Sequence, residues 1–259
     1  MTLLIGWSRP SSTTYIDLVN SLSPIAFWPL NETVGSSAHD EVDVNQNGAF
    51  SNVTLDAADD PFGEIRVPDF NGSTSLVNIY STALNTSYKT AVNGDEFSMM
   101  AWVRIDQVAD WIDGTWGAML YLRTDGTNEF VRVRKGSVSG CPTGCPYVTG
   151  LLKNGVGNWG TDSIVMDDTV PTTPTDWALL VITWSLSDLD VTMYFDGTTN
   201  PLTDGFDVTF AGDLDNTKSC IGAEDTSGTN AFKGQMCYVA LFDYRLTAAN
   251  ISALANYGS

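Results

Sequence analysis

Apolar positions along the 259-residue chain fall in short runs separated by clusters of Gly, Asn, Asp and Thr. The runs Leu76–Tyr80, Phe97–Ile105, Ala118–Arg123, Phe130–Lys135, Tyr147–Leu152, Trp177–Ser185, Val191–Phe195, Cys220–Ala223 and Gln235–Phe242 are dense in Val, Ile, Tyr, Phe and Trp. That spacing predicts an all-β sandwich. Phe97–Ile105 and Trp177–Trp184 are apolar at nearly every position, as in central strands covered on both faces. Val191–Phe195 alternates instead, and Asp196-Gly197 after it signals a tight turn. Helical spacing is confined to the two ends. Thr14 and Asp17 form a capping box ahead of Tyr15, Leu18, Val19 and Leu22, a short helix stopped by Pro24. Thr247 caps a second helix holding Ile251, Leu254 and Ala255, with Gly258 as its closing glycine and Leu246 as a staple. Ile25–Leu30 is strand-like, and Asn31–Gly48 is a polar loop. Arg9-Pro-Ser-Ser-Thr-Thr reads as an extended linker, which sets residues 1–13 apart as an arm and leaves 14–259 as one domain.

Charge narrows the partners. Twelve Lys+Arg against 31 Asp+Glu give a formal charge of −19, which repels phosphate and argues against a nucleic-acid or anionic-membrane surface. A 43% hydrophobic content with 17% charged residues suits a folded chain with a sizeable core. There is no apolar run of about 18 residues, so no membrane span is expected. The first ten residues carry an apolar run of only three with no basic residue ahead of it, unlike a secretory signal. Four cysteines stand at Cys141, Cys145, Cys220 and Cys237. Cys220 and Cys237 flank a strand–loop–strand unit centred near Gly228. The favoured reading is Cys141–Cys145 and Cys220–Cys237 disulfides, with free buried thiols as the alternative.

Candidate chemistry lies in the loops. Trp111, Asp113 and Trp116 share one Gly-containing segment, and Asn158 and Trp159 share another with Asp162. Aromatic faces beside planar amides and carboxylates suit sugar rings and their hydroxyls. The same tryptophans also suit a subunit interface or simple packing at the sandwich edge. Trp28, Trp102, Trp177 and Trp184 sit in strand runs and are expected in the core. Asp40-Glu-Val-Asp-Val-Asn is rich in oxygen ligands and suits calcium at Asp40 and Asp43, or else is a solvated acidic loop. His39 is the single histidine and reads as a loop residue, and neither a Gly-x-Ser-x-Gly nor a His-Glu-x-x-His motif is present.

Several ordered pieces resemble one family. Tyr15-Ile-Asp-Leu-Val-Asn-Ser-Leu-Ser-Pro-Ile-Ala-Phe-Trp-Pro-Leu with Ala38-His-Asp, Phe70-Asn-Gly, Phe97-Ser-Met-Met-Ala-Trp-Val, Tyr194-Phe-Asp-Gly and Phe232-Lys-Gly-Gln-Met-Cys-Tyr-Val-Ala-Leu-Phe resemble laminin-G-like domains of the concanavalin A-like lectin/glucanase superfamily. The resemblance spans roughly residues 15–259. It implies a jelly-roll of two antiparallel sheets with short N- and C-terminal helices. Some relatives hold a structural calcium ion, and Asp40 falls on a family aspartate. Many carry an acid in the closing strand, where this chain has Cys237. Glu41-Val-Asp-Val-Asn-Gln46 is similar to the catalytic strand of the family's glucanases, but Gln46 can serve neither as acid nor as base, so no enzyme activity is expected. Laminin-G-like domains with the same Tyr15…Pro24-x-Ala-x-Trp-x-Leu30 opening are common in phage structural proteins, and this resemblance implies a virion structural protein, made in the host cytoplasm and displayed on the particle as a capsid decoration, fibre or tail component. Leu3, Leu4, Ile5 and Trp7 of the arm would dock on other virion proteins or on copies of itself, with attachment to a host-surface glycan as a secondary activity. The alternative is a secreted or cell-surface carbohydrate-binding module, which is extracellular.

Overall fold

The computed structural model describes residues 13–92, 96–105, 107–111, 115–124, 130–137, 146–153, 159–160, 176–185, 187–188, 190–195, 198–202 and 212–258. Its strands form two antiparallel sheets. The first runs in spatial order β14 (Thr198–Leu202), β13 (Asp190–Phe195), β12 (Ala178–Ser185), β7 (Glu96–Arg104), β16 (Lys233–Phe242), β5 (Arg66–Asn71) and β4 (Thr54–Asp59), with β1 (Ala26–Trp28) also paired to β16. The second runs β11 (Trp159–Gly160), β10 (Pro146–Lys153), β9 (Phe130–Ser137), β8 (Gly117–Thr124), β15 (Leu214–Ile221), β6 (Leu76–Asn78), β3 (Gly48–Ser51) and β2 (Ser37–Ala38). The expected all-β, concanavalin A-like jelly-roll is what these residues build.

Alternation along each strand explains what lies between the sheets. Met99, Ala101 and Val103 of β7 and Leu180 and Ile182 of β12 face Leu120 and Leu122 of β8 and Val131 and Val133 of β9 in one buried cluster. Burying each of the larger side chains contributes on the order of 1.5–3 kcal/mol. The intervening residues of the first sheet, Met100, Trp102, Leu179 and Val181, point away from that core and are buried as well. Two helices cover them, α1 (Tyr15–Ser21) with Tyr15 and Val19, and the C-terminal helix (Ala248–Ala255) with Ile251 and Leu254. This is why the β7 and β12 sequences are apolar on nearly every position.

Both capping boxes form. Thr14 Oγ1 accepts from the Asp17 N–H at 3.1 Å while Asp17 accepts from the Thr14 N–H at 2.9 Å. Thr247 and Asn250 repeat the arrangement at the other end, and Leu246 is buried against the same cluster. The C-terminal helix ends at Asn256, and Gly258 takes its left-handed φ of +79° two residues later. The remaining helices are α2 (Thr82–Val92) and α3 (Val108–Trp111), which makes the C-terminal helix α4; a 3-10 turn spans Val44–Gln46. Sequence patterning did not predict α2, β3, β4, β5 or β14 as separate elements.

One prediction is corrected. Cys220 and Cys237 do not form a disulfide; both are buried free thiols. Their strands β15 and β16 are not a hairpin but belong to different sheets, because the connection crosses the sandwich through Gly222 (φ +83°) and Gly228 (φ +82°). Cys220 is opposite Tyr121 on the outer side of the second sheet, whereas Cys237 is opposite Trp102 on the outer side of the first. The core lies between them. Cys141 and Cys145 lie outside the described residues.

Candidate functional site

The second sheet differs from the first in leaving its outer face without a helical cover in the described residues. On β9, Val131 and Val133 enter the core while Phe130, Arg132 and Arg134 take the other side. Tyr121 of β8 is opposite Arg132, and Arg123 is opposite Phe130. The row continues across the sheet, with Phe130 opposite Lys153 of β10 and Lys153 opposite Trp159 of β11. That row lies at the opposite end of these strands from Trp116, which immediately precedes β8 where Gly117 is opposite Lys135, so the fold does not bring the register position of Trp159 to that of Trp116.

Trp116 carries the Arg134 guanidinium over its ring, 3.3 Å from the centroid. Arg132 lies over Phe130 at 5.2 Å, and the Tyr121 and Phe130 rings are 5.6 Å apart. Glu224, on the connection after β15, accepts from Arg132 at 2.7 Å and approaches Arg134 at 3.5 Å. All three ionic side chains are less than one-fifth exposed, which strengthens their mutual field relative to a pair in water. Lys218 and Asp225 form a looser pair beside them at 3.6 Å. Burial pushes the Tyr121 hydroxyl's pKa up, against the opposing effect of Arg123. Among the described residues, Arg132 and Arg134 both meet the Glu224 carboxylate. Arg132 Nε is buried with no hydrogen-bond partner among the described residues.

The segment leading to Trp116 is tied down from two sides. Lys135, fully buried on β9, sends its Nζ to the Asp110 carbonyl and lies 3.5 Å from Thr115 Oγ1. Lys233 of β16 pairs with the Asp110 carboxylate at 2.9 Å. Trp111 closes α3 within this segment. Asp113, Asn158 and Asp162 lie outside the described residues, as do Leu3, Leu4, Ile5 and Trp7 of the arm. Trp28, Trp102 and Trp184 are core residues as expected. Trp177 is only partly buried, with its Nε1 donating to the Asp59 carbonyl at 3.2 Å and Arg104 over its ring at 5.1 Å.

The acidic loop folds back on itself. Asp40 Oδ1 accepts from the Val42 and Asp43 N–H groups at 2.6 and 3.1 Å, while Oδ2 is buried and has no partner among the described residues. Burial raises the Asp40 pKa to about 6, with Asp43 adding to the effect. Asp43 itself caps the 3-10 turn through the Asn45 N–H at 2.9 Å. Among the described residues no three His, Cys, Asp or Glu side chains are grouped to hold a metal. Asp40 thus fits a hard cation through one orphaned oxygen, and Asp43 is occupied as a cap. Gln46 is buried in the turn, with its amide donating to Ser87 at 3.1 Å, and His39 is exposed in the loop.

Arg123, Arg132, Arg134 and Glu224 were not singled out by sequence. Their signal was available in Phe130-Val-Arg-Val-Arg-Lys135, where apolar and basic residues alternate in a chain otherwise poor in cations.

A laminin G-type sequence profile, described as that of the concanavalin A-like lectin/glucanases superfamily, matches residues 81–252. The chain belongs to this superfamily. The profile starts after the Tyr15–Leu30 segment, so the likeness noted there lies outside its span. Among solved structures, this superfamily member is similar to domain 4 of an extracellular arabinanase from Geobacillus stearothermophilus in complex with arabinotriose, with TM-score 0.57, 16% identity, and 90% of this chain and 98% of that one covered. It is also similar to the binding domain of botulinum neurotoxin DC in complex with SialylT (TM-score 0.60, 13% identity, 90% and 51% covered) and to Trypanosoma rangeli sialidase (TM-score 0.55, 16% identity, 89% and 32% covered). The chain thus spans about a third of the sialidase and half of the toxin fragment. At these identities the likeness is one of fold. No curated protein sequence matches the chain.

Proposed function

We propose that this chain is a non-catalytic carbohydrate-binding sandwich whose sugar surface is the outer face of the second sheet around Trp116. The observation that carries this reading is the Trp116–Arg134–Glu224–Arg132 arrangement on the outer face of the second sheet, over which no helix lies among the described residues. It sets aromatic rings beside fixed donors and an acceptor, the combination that engages a sugar's apolar side and its hydroxyls together. The arabinotriose and SialylT complexes of similarly folded domains support it. The test is a glycan array with the purified protein and with Trp116→Ala. Specific binding that falls at least tenfold in the variant is expected; a blank array with folded protein overturns the reading.

The finer part of the proposal is the setting. Display on a virion surface draws support from the acidic composition and from Cys220 and Cys237, since buried unpaired thiols suit folding in a reducing host cytoplasm. Residues 1–12, with Leu3, Leu4, Ile5 and Trp7, then serve as a docking arm. Deleting them should leave a folded chain that no longer assembles with its neighbours, and unchanged assembly refutes that role. Calcium belongs to the same proposal, with Asp40 as its anchoring ligand. A chelator should then lower the melting temperature of the wild type and leave Asp40→Asn unmoved.

A further inference from the structure

Granting the carbohydrate reading, we infer that the ligand is an acidic sugar whose carboxylate is held by Arg132. A guanidinium offers a carboxylate two parallel N–H bonds along one edge, and Nε belongs to the side-on edge. In Arg132 the Nη1 group is committed to Glu224 at 2.7 Å, which fixes the plane of the fork. Its Nε is buried and has no acceptor among the described residues. A buried donor left without a partner costs about 1–3 kcal/mol, so such a group calls for an acceptor that arrives from outside. Glu224 does not fill that role, because its carboxylate is already shared with Arg134 at 3.5 Å.

The surroundings select a sugar acid over a small inorganic anion. Arg132 is opposite Tyr121 and lies over Phe130, and Trp116 lies across the neighbouring Arg134, so three rings belong to the same outer-face group as this guanidinium. A ring-bearing ligand gains contact with these faces that a bare anion lacks.

The test compares each acid with its neutral counterpart by calorimetry: trigalacturonate against the carboxyl-reduced trimer, and sialyllactose against lactose. At least one acid should bind ten or more times tighter than its counterpart, with the advantage shrinking as salt is raised. Arg132→Lys keeps the charge and removes the fork, and should lose most of that preference while retaining the wild-type melting temperature within a few degrees. Arg132→Gln provides the same test should the lysine variant fail to fold. Equal binding of acid and neutral forms overturns the inference and leaves the carbohydrate reading standing. Equal binding of a sulfated trimer overturns the carboxylate assignment. No binding of any probe by folded protein overturns both.

Discussion

The two outer faces of this sandwich are built from strands of similar length and end in opposite ways. On the first sheet, Met100, Trp102, Leu179 and Val181 lie under α1 and α4, and Tyr15, Phe62, Trp102, Tyr238 and Tyr257 form a connected group of rings. Tyr15 stacks on Phe62 with centroids 4.5 Å apart, and the Trp102 indole donates to the Tyr15 hydroxyl at 2.7 Å. Polar atoms there point at one another. On the second sheet, the corresponding positions carry Arg132, Arg134 and Glu224 among Trp116, Tyr121 and Phe130, and no helix sits over them in the described residues. One face is sealed by helices to hold the domain together, and the other carries an ionic and aromatic network whose charged side chains are less than one-fifth exposed.

If that division is right, substitutions should separate stability from binding. The largest effect should come from Trp102→Ala, which opens a cavity under α1 and strands the Tyr15 hydroxyl. A loss of about 3–5 kcal/mol is expected in urea unfolding. A loss below about 1 kcal/mol would mean the helices do not seal this face. Next is Tyr238→Phe. Tyr238 donates to Asp60 Oδ2 at 2.6 Å, and Asp60 is buried with its other oxygen taken by the Glu64 and Ile65 N–H groups. Removing the hydroxyl leaves a buried carboxylate oxygen short of a donor, at a cost of about 1–3 kcal/mol.

Arg132→Gln on the other face should be milder for the fold. Arg134 remains beside Glu224, so the buried carboxylate keeps a cation, and the expected loss is about 1 kcal/mol. A loss as large as that of Trp102→Ala would show that the arginine network is part of the structural frame and erase the contrast between the faces.

How much of this could be read from residues alone follows the same line. The sealed sheet was legible because strands buried on both sides, such as β7 and β12, write long apolar runs, and because Thr14 and Thr247 are capping residues whose partners stand three positions on. β4 was not legible. Its residues are mostly exposed at a sheet edge, where Arg66 pairs with Asp56 and Asp59 and no apolar pattern is required. Nor was α2, which buries Leu84 and Tyr88 one turn apart within a stretch of threonines and other weak helix formers. The loop tryptophans gave half of the candidate site. Composition drew attention to Trp116, but its cationic neighbours come from β9 and from Glu224 more than 90 residues away, a proximity that only the pairing of β8 with β9 and β15 creates.

The smallest expected signal is also the sharpest comparison, because the chain places one buried thiol on each outer face. Cys220 sits with Leu76 and Ala223 in a small cluster, whereas Cys237 lies beneath the helices within the large one. Burial raises the Cys220 pKa to about 12 and holds that of Cys237 well above the usual thiol range. Neither presents a thiolate near neutral pH, so alkylation of either requires the protein to open. Opening the Cys220 cluster exposes three small or medium side chains, while opening the Cys237 cluster displaces α1 and α4 together. In urea well below the unfolding midpoint, peptide mass spectrometry should therefore find Cys220 alkylated first, and Cys237 only at the rate of global unfolding. Equal rates at the two sites would mean that the faces open as one unit, and earlier reaction at Cys237 would place the weak side of the sandwich under its helices.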